Sequence, residues 1–251
     1  MGTKIAIAGK GGVGKTTTSA LIIRALIDAG KGTVLALDAD PNSNLNEVLG
    51  VEVEETIGKI REDFKLNAPR LESGIYKDKM IEMNVHQSLV EGKGFDLLVM
   101  GRPEGPGCYC SVNDLLRYGI DSLSREYDVT LIDCEAGPEQ VSRRVVQDVH
   151  MLIIITDGSP RGMQSAGAIW GAVRTDAAMR LMKSGLVVNR CRGDRTAMLR
   201  KAHEWNIEVL GTIPEDQALS EYDAEGKPLT QLPDASLSVR ATEGILARLG
   251  L

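Results

Sequence analysis

The sequence predicts an α/β fold, a single domain spanning residues 1–251 with a mainly parallel twisted sheet and helices on both faces. Three observations predict it. Short apolar runs rich in Val, Ile and Leu recur along the chain, as strands buried on both faces require. Helical patterns lie between most of them, the alternation that builds a parallel sheet. At 251 residues the chain is long enough for one substantial core and short for two.

The strand segments, in order, are "TKIAIAG", "GTVLALD", "FDLLVM", "YDVTLID", "HMLIIIT", "SGLVVNR" and "IEVLGTI". Helices are expected at 15–29, 111–126, 161–182, 194–205 and 236–249. Residues 51–94 are rich in charge and show no convincing strand in their middle. Short helices covering one side of the sheet are the expectation there. No internal repeat, low-complexity tract or linker interrupts the chain.

Composition narrows the function. A net charge of −6 argues against a nucleic-acid binder, which usually shows a basic face. Two Phe, two Trp and five Tyr leave few platforms for stacking bases. No apolar run approaches the roughly 20 residues of a membrane span. The opening "MGTKIAIAGKGG" runs straight into a glycine loop and lacks the form of a signal peptide. Four unevenly spaced cysteines do not make a secreted disulfide framework, so a reducing cytoplasm is expected.

The chemistry starts at "GKGGVGKT", Gly9 to Thr16, between the first strand and the first helix. That context makes it a phosphate-binding P-loop, and the fold class a P-loop NTPase. Gly9, Gly11, Gly12, Val13, Gly14 and Thr17 belong to the cradle, whose glycines let backbone N–H groups face phosphate without a Cβ in the way. Lys15 reaches the β and γ phosphates and the Thr16 hydroxyl binds magnesium. The positive end of the following helix adds to the same site. Asp133 closes another apolar strand in "LIDCEAGPE", where a carboxylate holds Mg²⁺ through water. Lys10 is a second ammonium in the same loop, costly unless shared negative charge offsets it.

"GRPEGPGCYC", residues 101–110, leaves the same sheet edge after "FDLLVM" and carries two thiols, Cys108 and Cys110. Ser111 and Asp114 then form a capping pattern for the next helix. Thiols just ahead of a helix N-terminus are biased towards thiolate, the metal-binding form. One Cys-x-Cys pair supplies only two ligands, and His86, His150 and His203 are scattered. Two copies meeting on a two-fold axis would supply four sulfurs, which suit tetrahedral zinc or square-planar nickel. Cys134 and Cys191 read as structural thiols.

The pattern "KGGVGKT" resembles the deviant P-loop family that includes MinD, the nitrogenase iron protein and metal-insertion ATPases. "GRPEGPGCYC" with "DCEAGPEQVSRR" looks more closely like the CooC-type ATPases that help insert nickel into carbon monoxide dehydrogenase, and their relatives serving acetyl-CoA synthase. The resemblance covers essentially the whole chain. It implies an ATPase turning ATP into ADP and phosphate as a nucleotide- and metal-dependent homodimer, with no membrane or nucleic-acid partner. It further implies that Lys10 acts on the partner subunit's nucleotide and that Asp40 in "LALDADPNSN" positions the attacking water. Asp38 lies near the metal and phosphates, while Asn189, with Arg190, and Pro214 stand where relatives hold adenine. Cys134 departs from the group, which more often has a polar residue there. An ATP-gated Fe–S carrier like the nitrogenase iron protein is the alternative, although such carriers take their two cysteines from different loops.

Overall fold

The computed structural model describes residues 2–60, 75–102, 121–137, 149–176, 181–191 and 195–251. Its centre is one eight-stranded sheet: β1 (Thr3–Gly9), β2 (Val34–Ala39), β3 (Val90–Glu91), β4 (Asp96–Val99), β5 (Val129–Cys134), β6 (Met151–Thr156), β7 (Lys183–Asn189) and β8 (Glu208–Ile213). The order across the sheet is β3-β4-β2-β5-β1-β6-β7-β8. All neighbours are parallel except β3, which pairs antiparallel with β4. The seven expected strands are all present. The chain leaves β1 towards β2 on one side, while β6 occupies the other. The P-loop therefore opens at the switch point where parallel sheets bind ligands.

Among the described residues, helices with assigned bounds include α1 (Lys15–Asp28), α2 (Leu45–Leu49), α3 (Ile75–Gln87), α4 (Pro160–Thr175), α5 (Thr196–Glu204), α6 (Gln217–Ala224) and α7 (Leu237–Leu249). Alternation along each strand divides the core in two. Ala6, Ala8, Leu35 and Leu37 face α4 and α5, meeting Met163, Ile169 and Met198. Ile5, Ile7, Val34 and Ala36 face α1 and α7, meeting Leu21, Ile22, Leu26, Ile245 and Leu246. Because both faces are covered, the middles of the central strands are apolar on both faces rather than alternating with polar residues.

Several details differ from expectation. β3 is a two-residue edge strand, too short to leave a periodic signal. The charged region also yields one 13-residue helix, α3, rather than only short ones. The helix expected to reach 182 stops at Thr175, where Asp176 turns extended (φ −85, ψ 104). Leu181 and Met182 extended the apolar pattern, but they lead into β7, with the Met182 N–H donating to the His150 carbonyl at 2.8 Å. Of the helix expected at 111–126, residues 121–126 are among those described; 121–123 are helical and 124–126 form a turn, so the helix ends three residues early. The proposed Ser111 and Asp114 cap, and the Cys108 and Cys110 pair, lie outside the described residues. Among the described residues no helix is long and apolar enough to cross a membrane.

Candidate functional site

The P-loop leaves β1 at Gly9 and reaches α1 through two left-handed residues, Gly12 (φ 79) and Gly14 (φ 89). At Gly14 the requirement is double, because a Cβ would also stand 2.2 Å from Asn189 Nδ2. Val13 is buried between the glycines and pins the loop to the core. The first turn of α1 has no side-chain cap and no acidic residue, so its backbone N–H groups and positive dipole end face the loop. Lys15 is 8% exposed and acts electrostatically on Asp133. Lys10 is exposed, and its charge reaches Asp157 beyond β6.

Register brings the two buried carboxylates together. Asp38 on β2 and Asp133 on β5 are direct neighbours, with 0% and 1% exposure. Burial pushes Asp38 up to about 7, and the charge of Asp133 adds to the rise. Both Asp38 oxygens are engaged, Oδ1 by the Asp40 N–H and Oδ2 by the Leu45 N–H, each at 3.0 Å. Asp38 thus organises the loop after β2 from beside the expected metal position. Burial likewise pushes Asp133 up to about 6, against the lowering effects of the Thr16 hydroxyl and the Lys15 ammonium. Its Oδ1 has no hydrogen-bond partner among the described residues. An orphaned carboxylate oxygen beside a hydroxyl is the hard donor set that magnesium takes, with substrate phosphate and water completing its shell.

Asp40 is half-buried at the mouth of the site. Its Oδ1 accepts hydrogen bonds from Asn42 N at 2.9 Å and Asn42 Nδ2 at 2.8 Å. Asn189 is buried, donates from Nδ2 to the Val13 carbonyl at 2.9 Å and accepts on Oδ1 from the Arg190 N–H at 3.0 Å. It braces the P-loop backbone, a role its sequence position did not reveal. Arg190 is held at φ 51. Thr17, Asn189, Arg190 and Pro214, with Leu219 and Leu237, line a cleft of about 600 Å³. Pro214, Leu219 and Leu237 give it an apolar side, while Glu215, Asp216 and Asp223 make the rest polar; its volume is that of a small-ligand cleft.

One residue of this cleft went unnoticed in the sequence. Asp216 caps α6 by accepting from Ala218 N at 3.0 Å. Its other oxygen accepts from the Ser236 hydroxyl and from Ser238 N, at the start of α7. One carboxylate therefore joins two helix N-termini on the cleft wall. The signal was an Asp directly before "QALS", a common capping use.

Of the thiols among the described residues, Cys134 is buried and Cys191 partly so. Burial pushes the Cys134 thiol up to about 12, far from a reactive thiolate. No cluster of three or more His, Cys, Asp or Glu side chains suited to a metal occurs among the described residues.

Known proteins resemble the chain over nearly its full length. The family model of the CobQ/CobB/MinD/ParA nucleotide binding domain matches residues 4–229. An uncharacterized ATP-binding protein of Methanocaldococcus jannaschii is 41% identical over 248 residues, covering 98% of this chain and 97% of that protein. The carbon monoxide dehydrogenase accessory protein CooC of Rhodospirillum rubrum is 31% identical over 236 residues, covering 89% and 88%. Among solved structures, the Pyrococcus furiosus cell division ATPase MinD superposes with a TM-score of 0.75 at 25% identity, covering 100% of this chain and 99% of that one.

Proposed function

The chain belongs to the CobQ/CobB/MinD/ParA nucleotide-binding domain family, and from that premise we propose that it is an ATP-hydrolysing metallochaperone. It uses an ATP-dependent homodimer to help insert nickel into carbon monoxide dehydrogenase or acetyl-CoA synthase. The observation that carries this reading is the 31% identity to the Rhodospirillum rubrum accessory protein across 89% of the chain. The "GCYC" thiols of residues 107–110 supply chemistry that fits a metal cargo.

In this reading the backbone of Gly9–Thr17 and Lys15 bind the ATP phosphates, and the cleft beside Asn189, Arg190 and Pro214 takes adenine. Thr16 and Asp133 would hold Mg²⁺, which supplies charge neutralisation at the phosphates. Asp40, with Oδ1 pinned by Asn42 and Oδ2 carrying no hydrogen bond among the described residues, orients the attacking water. Lys10 of one subunit reaches the nucleotide of the other. The charge that makes two lysines costly in one loop is then offset by triphosphate. Cys108 and Cys110 of both subunits would hold nickel or zinc between four sulfurs.

The test is activation of a nickel-free client. Added protein with Mg-ATP and nickel is expected to restore carbon monoxide oxidation by nickel-free carbon monoxide dehydrogenase, or the activity of nickel-free acetyl-CoA synthase. The Lys15→Ala variant is expected to restore neither. Restoration by Lys15→Ala at the wild-type rate would remove ATP from the account, and no restoration of either client would remove the nickel role.

A further inference from the structure

Strands β2 and β4 run side by side from Leu35↔Asp96 to Asp38↔Val99 and leave the sheet together. The two exits stay joined beyond the last pair, because Met100 N donates to the Asp38 carbonyl at 2.8 Å. Gly58 N then donates to the Met100 carbonyl at 2.8 Å. Gly101 is left-handed (φ 65), and a Cβ there would lie 2.4 Å from Thr56 Oγ1. The path is thus fixed up to Arg102, the last described residue before the segment that carries Cys108 and Cys110.

Arg102 reaches back to the β2 exit, where its Nη2 donates to Asn42 Oδ1. With the carbonyl side of the Asn42 amide engaged by a guanidinium, its NH₂ side is the one turned to Asp40. Nδ2 and the Asn42 backbone N–H both donate to the same atom, Asp40 Oδ1. Asp40 Oδ2 carries no hydrogen bond among the described residues. The left-handed Ser43 (φ 50) and the Ser43 N–H bond to the Asp40 carbonyl at 3.0 Å close the turn that holds the two side chains together.

We propose that Arg102 and Asn42 are positioning residues for ATP hydrolysis: Arg102 sets the orientation of the Asn42 amide, which pins Asp40 Oδ1 and leaves Oδ2 as the acceptor for the attacking water. The inference rests on the ATPase reading above and adds to it two residues that lie outside the P-loop and both carboxylate strands' ends. It also means that a shift of Arg102 reaches the hydrolytic carboxylate through the Asn42 side chain.

The test compares Asn42→Ala, Arg102→Ala, Arg102→Lys and the Asn42→Ala/Arg102→Ala double variant in steady-state ATP hydrolysis, with ATP affinity by calorimetry and thermal midpoints as a check on folding. Each alanine variant is expected to lower kcat by up to about a hundredfold, the scale on which a misplacement of about 1 Å at a catalytic group is felt. KM and ATP affinity should stay within about twofold, because neither residue belongs to the phosphate cradle. The double variant is expected to be no slower than Asn42→Ala alone, since residues acting through one bond are not additive. Arg102→Lys should recover part of the rate by restoring a donor. A wild-type kcat in Arg102→Ala, losses that multiply in the double variant, or a loss that appears in ATP affinity instead of kcat would each overturn the proposal while leaving the ATPase reading intact. A wild-type chain that binds but never hydrolyses ATP would overturn both.

Discussion

Asp133→Asn is expected to lower ATP hydrolysis by about a hundredfold or more, the scale of losing a metal's charge at the reacting phosphates. The substitution changes one oxygen to an amide nitrogen in a side chain that is 1% exposed, so shape is retained. What is lost is the negative charge beside the Thr16 hydroxyl and the unpartnered Oδ1 that fits a hard cation. Nucleotide affinity is expected to fall far less, within about tenfold, because the P-loop N–H groups and Lys15 still face the phosphates. Hydrolysis at saturating Mg-ATP, with calorimetry in the presence and absence of magnesium, checks both parts. Wild-type turnover in the variant would place the metal-holding carboxylate elsewhere.

Asp216→Asn is expected to have the largest effect on stability. Burial by itself raises the Asp216 carboxyl, but the hydrogen bonds from Ser236, Ser238 and Ala218 outweigh it and hold the group below its ordinary value of 3.8. A folded value below the unfolded one contributes stability that is fully present above about pH 4 and is lost as pH falls through the folded value. An asparagine keeps one acceptor oxygen but turns an NH₂ group towards donors that need an acceptor. The expected loss at pH 7 is about 1–3 kcal/mol, the combined scale of a helix cap and a buried charge-assisted bond. Urea midpoints of the two proteins should converge as pH falls towards 3. A gap of equal size at both pH values would mean that the charge is not what matters.

The parts of the molecule legible in its sequence are those governed by local chemistry. Fully buried strands such as Ile5–Ala8 and Leu152–Ile155 are apolar on both faces and declare themselves without any tertiary information. The P-loop is legible because its glycines, Lys15 and Thr16 must stand at fixed spacing. Relations across the sheet are not. Asp38 and Asp133 are separated by most of a hundred residues, and only strand register makes them neighbours. The same holds for Asn189, read as a base contact and found bracing Val13, and for Arg102, whose bond to Asn42 spans two strand exits. Asp216 hid for the opposite reason: an ordinary capping residue in sequence, it serves a second helix twenty residues on. The strand β3 was too short for periodicity to register. Cys108 and Cys110 lie outside the described residues, so the metal chemistry proposed for them rests on the sequence pattern alone.

The proposed metallochaperone role requires that two chains share one metal through Cys108 and Cys110. The most direct measurement is molar mass by light scattering with nickel analysis on the same peak, under anaerobic reducing conditions. It compares wild type and the Cys108→Ser/Cys110→Ser variant, each with and without ATP. The expected result is about one nickel per wild-type dimer, as a four-sulfur site shared across a two-fold axis requires, and none in a variant that still binds ATP. Nickel at the wild-type ratio in the variant, or a wild-type monomer that hydrolyses ATP and holds no metal, would contradict it.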